Sequence, residues 1–393
     1  MSSKQDMTHG GNMKKKIMIF TSSGGRGHVS ATEALMDYCA DLYDVQPVYA
    51  LREILGPVDF IYTLTAGRYH SEELYNYFMM HNYTWLIPAM VWLGEWFFTL
   101  RAGKIESLIE EYVRAHKPDL LISVIPMVNG ATIKAAQRLQ IPFWVISTDL
   151  DAQKFVYQIH NPTYEKFFFN VAYNNAALME TFASAMIPDS CFTYTGFPVR
   201  PSFIASDHDS SALKKTYDVP TDKPVVMLLM GGLGSRDTLV FAQELARISL
   251  PVHILICIGK SEGLRPELER MMLKNHISYT IIGFTEKIDE IMAMSDLLIT
   301  KSGGLTINEA LYMELPMIVD ATVSGLIWER FNRTFIHQNN VGAVLHDRRN
   351  LASMVEALLR DPHTLETWKH AIRALEKKDP KVEIVRFIQH MIG

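Results

Sequence analysis

Cysteine is scarce in this chain. Three occur in 393 residues, Cys39, Cys191 and Cys257, odd in number and far apart. That excludes a disulfide framework and a zinc knuckle, and it fits a reducing compartment. A basic excess is also missing: 38 Lys and Arg stand against 43 Asp and Glu, a formal net charge of -5. Nucleic-acid binding, which shows as such an excess, is not expected. Long apolar runs are absent too. The longest, Trp85 to Leu100, is interrupted by Pro88, Gly94 and Glu95, and it falls short of the ~20 residues that cross a bilayer. No apolar signal core follows the Lys14-Lys15-Lys16 run, because Ile17 to Phe20 is only strand-length. Residues 1–15 read as a disordered tail.

What remains is a globular mix, 48% hydrophobic and 21% charged, long enough for two domains with separate cores. Short β-type runs alternate with helical patterns, which argues for parallel sheets with crossover helices. The strand candidates are Lys16–Phe20, Val45–Tyr49, Leu120–Val124, Phe143–Ser147 and Lys166–Asn170 in the first half. Val225–Met230, His253–Ile258, Ser278–Ile282, Leu297–Thr300 and Met317–Val319 follow in the second. Each half opens with a strand that runs into a glycine-rich turn, TSSGGRGH and then MGGLGS. Two α/β units follow, 16–200 and 201–374, joined near the proline-rich GFPVRP. Spaced apolar residues in 375–393 predict a last helix that packs back on the first unit.

Between the second and third strands lies an aromatic insert, roughly Phe60 to Leu100, which includes Trp85, Trp92 and Trp96. Core residues of crossover helices account for much of it. The block Trp85 to Leu93, however, is apolar all round, as in a helix that is buried or dips into lipid head groups. Tyr and Trp suit that interface because each has an apolar body and a polar tip. Trp92 and Trp96 are thus candidates for the acceptor side.

Five loops carry chemistry. In TKSGGLTINEAL a strand ends in paired glycines and a helix begins near Leu305. Exposed N–H groups and the dipole at such a helix start favour a phosphate, and Gly303 and Gly304 let the backbone come close to it. Glu309, about a turn inside, can accept from ribose hydroxyls. A second phosphate loop, Gly231 to Ser235, follows the strand Val225–Met230. Between the two, IGFTEK is a place for a base to stack. In the first half, Gly25 and Gly27 precede His28 between a strand and a helix expected over Val29–Tyr38. An unperturbed imidazole pKa of ~6.5 suits a general base near neutral pH. Asp149, in STDLD, closes another strand and can orient that base or meet a substrate hydroxyl. Asp149-x-Asp151 spells a metal motif but is too short to count as one.

Together these loops resemble the monogalactosyldiacylglycerol synthases and processive diacylglycerol glucosyltransferases, and more distantly the enzyme that adds N-acetylglucosamine to the lipid-linked peptidoglycan precursor. The resemblance runs from about Lys16 to Gly342. It is carried by GGRGHVSA, KPDLLISVIP, TGFPVRPSF, MGGLGS and IGFTEKIDEIMAMSDLLITKSGGLTINEALYMELPMI. It implies the type B glycosyltransferase fold, an α/β architecture of two facing Rossmann-like domains. By the same resemblance Gly232, Leu233, Gly234 and Ser235, with Ser302, Gly303 and Gly304, hold a diphosphate. Phe284 and Thr285 meet uracil, Glu309 the ribose, and Glu329 with Asn332 the sugar side. His28 and Asp149 are the base and its acidic partner. An inverting transfer is implied, with no metal and no resident cofactor, the UDP-sugar being a substrate. The chain departs from the family after Thr148-Asp149, where a His and a Trp are usual, and at SGLIWE, two residues longer than the family's loop. Its basic residues are also not concentrated in the first half.

The function expected is transfer of a hexose from a UDP-sugar to diacylglycerol or a glycosyldiacylglycerol. The protein would be cytoplasmic and peripheral on the inner face of the membrane. A polyprenyl-linked acceptor is the alternative within the class. A UDP-sugar epimerase or hydrolase, or a nucleotide-sugar sensor, is the alternative outside it. The aromatic insert argues against the epimerase and hydrolase, and the paired His28 and Asp149 argue against the sensor.

Overall fold

The computed structural model describes residues 14–80, 83–173, 176–204, 208–231, 235–322 and 329–393. The tail up to residue 13, the glycine-loop residues Gly232, Leu233 and Gly234, and the loop 323–328 lie outside the described residues.

The first unit is a parallel sheet of β1 (Lys16–Thr21), β2 (Asp44–Tyr49), β3 (Leu120–Ser123), β4 (Phe143–Ile146), β5 (Phe167–Asn170) and β6 (Phe192–Thr193), ordered 2-1-3-4-5-6. The second is a parallel sheet of β7 (Val225–Leu229), β8 (His253–Gly259), β9 (Ser278–Gly283), β10 (Leu297–Thr300), β11 (Met317–Asp320) and β12 (Gly342–Leu345), ordered 12-11-10-7-8-9. Central strands such as LLIS, FWVI and VVMLL are buried at every position. Such unbroken apolar runs suit parallel strands covered by helices on both faces. Two strands, β6 and β12, were not expected. The first is two residues long, and the second opens on Gly-Ala, which carries little β-propensity.

Strand order reverses between β1 and β3 in the first sheet and between β7 and β10 in the second. In open α/β sheets such reversals leave a crevice at the carboxyl ends of the strands, where ligands bind. The predicted loops leave those strands or their neighbours, except IGFTEK, which leaves the edge strand β9.

Helices α1 (Arg26–Cys39), α2 (Ser71–Met80), α3 (Ile87–Leu100), α4 (Gly304–Tyr312), α5 (Glu329–Gln338) and α6 (Pro380–Ile392) bear on the site. The last crosses back to the first unit: Ile384, Ile388 and Ile392 join its core, and the Phe387 ring centroid lies 4.8 Å from that of Trp144. The units also touch directly. The Tyr173 hydroxyl donates to Asn308 Oδ1 at 2.9 Å, and its ring lies 5.2 Å from that of Phe335.

Candidate active site

Helix α1 begins at Arg26, so His28 stands in its first turn and not in the loop before it. Gly25 makes the turn possible with φ of 86°, a region that costs a residue with a Cβ. The insert fixes this loop from outside: Asn76 of α2 accepts from the Gly25 N–H at 3.1 Å and donates to the Ser23 carbonyl at 2.9 Å.

His28 Nδ1 lies 2.8 Å from the Val124 carbonyl oxygen and 3.0 Å from Thr148 Oγ1. A carbonyl can only accept, so Nδ1 carries the proton and Nε2 keeps the lone pair. Burial pushes the imidazole pKa down to about 4, and the Val124 bond only partly offsets this. The ring is therefore neutral at pH 7. The ring is oriented by the Val124 carbonyl and the Thr148 hydroxyl, and not by the Asp149 carboxyl.

Asp149 reaches instead toward the second unit. A Cβ placed on Gly304 would come within 2.6 Å of Asp149 Oδ1, so glycine at the head of α4 admits this close approach. Burial, then the charges of Glu329 and Asp151, push the Asp149 carboxyl up to about 8, while the Asn332 amide and the Gly304 backbone N–H pull the other way. At neutral pH this carboxyl is mostly protonated, whereas His28 is neutral with its Nε2 lone pair free to accept a proton.

Across the cleft, Gly303 and Gly304 with the first turn of α4 face the glycine loop of α1. Glu309 lines the same wall, and burial pushes its carboxyl up to about 7 against the pull of Arg200 and Arg26. Phe284 and Thr285 line it too, with the Phe284 ring exposed and Lys260 Nζ 5.1 Å from its centroid. The cleft measures about 310 Å³, at the small end of ligand sites.

Three expected donor residues sit behind the wall instead of in it. The Ser302 hydroxyl donates to Glu329 at 3.0 Å, and the Ser302 carbonyl accepts from Asn332 at 2.7 Å. Asn332 is fully buried; it braces the turn before Gly303 from below, whereas Glu329 does reach the cleft. Ser235 is buried as well and bonds Asp237 at 2.8 Å.

Sequence reasoning missed several groups. Arg200, from the linker, donates to the Glu286 carbonyl at 2.6 Å and stands 3.8 Å from Glu309. Lys301 pairs with Asp237 at 2.9 Å and donates to Ser235 Oγ at 3.2 Å. Tyr75 from the insert lines the cleft. The sequence signal for the first two was a cation inside a quoted motif, PVRP and TKSGG; Tyr75 had none.

A second cavity, of about 220 Å³ and mainly apolar, opens beneath α3 and shares Gly24, His28, Tyr75 and Asp149 with the cleft. Met90, Val91, Gly94 and Phe98 of α3 form its roof. Trp92 and Trp96 do not: they lie on the opposite face of that helix, 64% and 56% exposed. The helical period separates them from the lining residues, so neither tryptophan touches an occupant of the cavity. With Trp85, Leu93 and Leu100, also exposed, they make an outward apolar ridge.

Two parallel-sheet units facing one another across such a cleft define the type B glycosyltransferase fold. Residues 234–384 match the glycosyltransferase family 28 C-terminal domain. The chain is 24% identical to the processive diacylglycerol beta-glucosyltransferase of Bacillus pumilus (strain SAFR-032), over 96% of this chain and 95% of that protein. It is also 24% identical to the enzyme of the same name from Bacillus subtilis (strain 168), over 93% and 92%. The resemblance read from the loops therefore holds along nearly the whole chain. Among solved structures, MurG of Acinetobacter baumannii superposes with a TM-score of 0.62 at 13% identity, over 96% of this chain and 99% of that one. HepE of Anabaena, solved with UDP and glucose, gives 0.54 at 14%, over 96% and 99%. These likenesses show the fold. Among the described residues no helix is long and apolar enough to cross a membrane.

Proposed function

We propose that this protein is an inverting hexosyltransferase that moves a sugar from a UDP-sugar to diacylglycerol or a glycosyldiacylglycerol at a membrane surface. One observation carries the reading: a cleft between the units and a more apolar cavity under α3 meet at His28. A nucleotide-sugar suits the first and a lipid head group the second, so the two substrates converge on one base.

In the reaction an acceptor hydroxyl oxygen bonds the sugar's anomeric carbon from the face opposite the diphosphate. The bond from that carbon to the phosphate oxygen breaks, and its electron pair leaves with UDP. The hydroxyl proton passes to His28 Nε2. Helix α4, whose Leu305 and Thr306 line the cleft, offers backbone N–H groups and a dipole to the departing charge. Lys301 supplies a cation beside it. Phe284 and Thr285 receive the uracil and Glu309 the ribose hydroxyls.

The cavity's ~220 Å³ is below the usual span of a whole ligand site. The head group enters and the acyl chains stay in the bilayer. The ridge of Trp85, Trp92, Trp96, Leu93 and Leu100 on the outer face of the same region gives the contact that makes this possible. Free, buried cysteines at all three positions agree with work on the cytoplasmic side. The two Bacillus relatives are named as processive diacylglycerol beta-glucosyltransferases, and their near-complete coverage favours the reading over an epimerase. Incubation with radiolabelled UDP-sugars and mixed lipid vesicles tests it: label should enter the organic phase. Release of free sugar, or isomerised nucleotide, with no lipid-borne label would refute it.

A further inference from the structure

Glu72 stands in the first turn of α2 with its side chain 2% exposed. Its Oε2 accepts from Ser23 Oγ at 2.6 Å and lies 3.7 Å from Arg52 Nε. Its Oε1 is buried and has no hydrogen-bond partner among the described residues. A buried carboxylate oxygen left without a donor is costly, and native structures rarely keep one without a use. Glu72 lines the cavity under α3 together with His28, and its Cγ would be 3.9 Å from a Cβ placed on Gly24 of the His28 loop. Of the other acids that line this cavity, Glu95 already has its partner. Glu95 pairs with Lys154 at 2.6 Å, and the Tyr157 hydroxyl donates to the Glu95 carbonyl at 2.9 Å.

A carboxylate oxygen can only accept, so its partner must be a donor. Diacylglycerol has one hydroxyl, and that one gives its proton to His28 as it reacts. Its ester oxygens accept and cannot satisfy Glu72. A sugar head brings one reacting hydroxyl and several further donors. From this we infer that Glu72 binds a non-reacting hydroxyl of the acceptor and thereby selects a glycosyl-headed lipid over bare diacylglycerol. The inference rests on the acceptor cavity of the proposed function and adds the residue that discriminates within it.

Glu72→Gln tests this. Glutamine keeps the Ser23 bond through its carbonyl oxygen and presents an amide N–H₂, a donor, where the free acceptor was. In mixed micelles the kcat/KM for glucosyldiacylglycerol divided by that for diacylglycerol should fall roughly 10- to 100-fold, the worth of one hydrogen bond to a charged group. UDP-glucose binding and the melting temperature, read alongside, report a folded donor site. An unchanged ratio, whether both acceptors fall together or neither does, overturns the inference. Should the unsubstituted protein transfer sugar to neither lipid, the proposed function fails by itself. Glu72 is then still read by titrating octyl β-glucoside into both proteins: weaker binding to the variant supports the assignment, and equal binding refutes it.

Discussion

Asp149 of the first unit and Gly304 of the second occupy adjoining space: a Cβ on Gly304 would meet Asp149 Oδ1 at 2.6 Å and its Cα at 3.0 Å. The acidic side chain thus closes onto the head of the helix that is to hold the diphosphate. Approach of the units and placement of the phosphate loop are one packing event.

That contact has a stability signature. The Asp149 carboxyl is raised by burial to about 8, above an unfolded value of ~3.9. A group raised on folding contributes fully at low pH, and its contribution is lost as pH climbs through the window from ~4 to ~8. Asp149→Asn removes the titrating group. Melting curves should show the variant gaining on the unsubstituted protein steadily from pH 4 to pH 8 and no further above it. A difference that is flat across that range would contradict the burial of this carboxyl.

Glu309 titrates where it can be seen. Burial holds it at about 7 despite Arg200 and Arg26. An ionised carboxylate accepts ribose hydroxyls better than a neutral acid does. Affinity for UDP-glucose, whose diphosphate does not titrate near neutral pH, should rise as pH increases through about 7. Glu309→Gln should bind more weakly at high pH and lose most of this dependence. Calorimetry across the range decides the matter, and an unsubstituted protein with pH-independent affinity would remove Glu309 from the ribose.

Much of this was readable from the chain. The ten expected strands are all present within a residue or two, because buried parallel strands announce themselves as apolar runs between glycine turns. The strand-to-helix turns at Gly303-Gly304 and at Gly25 to His28 also followed from local pattern. What local pattern could not give was the setting. Val124, 96 residues from His28, fixes its tautomer, and burial moves its pKa from the neutral range assumed for an exposed ring. Glu72, Tyr75 and Asn76 come from an insert without any motif and reach the site only through tertiary packing. Asn332 and Ser302 were assigned to the ligand through family likeness, yet in this chain they brace each other under the wall.

The outward ridge gives a further test. Trp92→Ser with Trp96→Ser removes two large rings that are more than half exposed, so the fold should lose little. Vesicle affinity in co-sedimentation should drop by about 10²-fold or more, the two buried aromatics together being worth ~3–6 kcal/mol, while calorimetric UDP binding persists. A parallel loss of melting temperature and sedimentation would instead make these rings part of the core.

The base is the centre of the account, and one experiment addresses it most directly: the pH profile of sugar transfer for the unsubstituted protein beside that of His28→Ala. With its folded pKa depressed to about 4, His28 stays unprotonated through the neutral range. Turnover should therefore hold from pH 7 down toward 5 and fall only as pH approaches 4, where protonation takes the Nε2 lone pair. His28→Ala should lose roughly 10²- to 10⁴-fold in turnover, with UDP affinity nearly intact because the residues assigned to the nucleotide lie in the other unit. Near-normal turnover in the variant would contradict a base at His28, and so would an acid limb near 6.5.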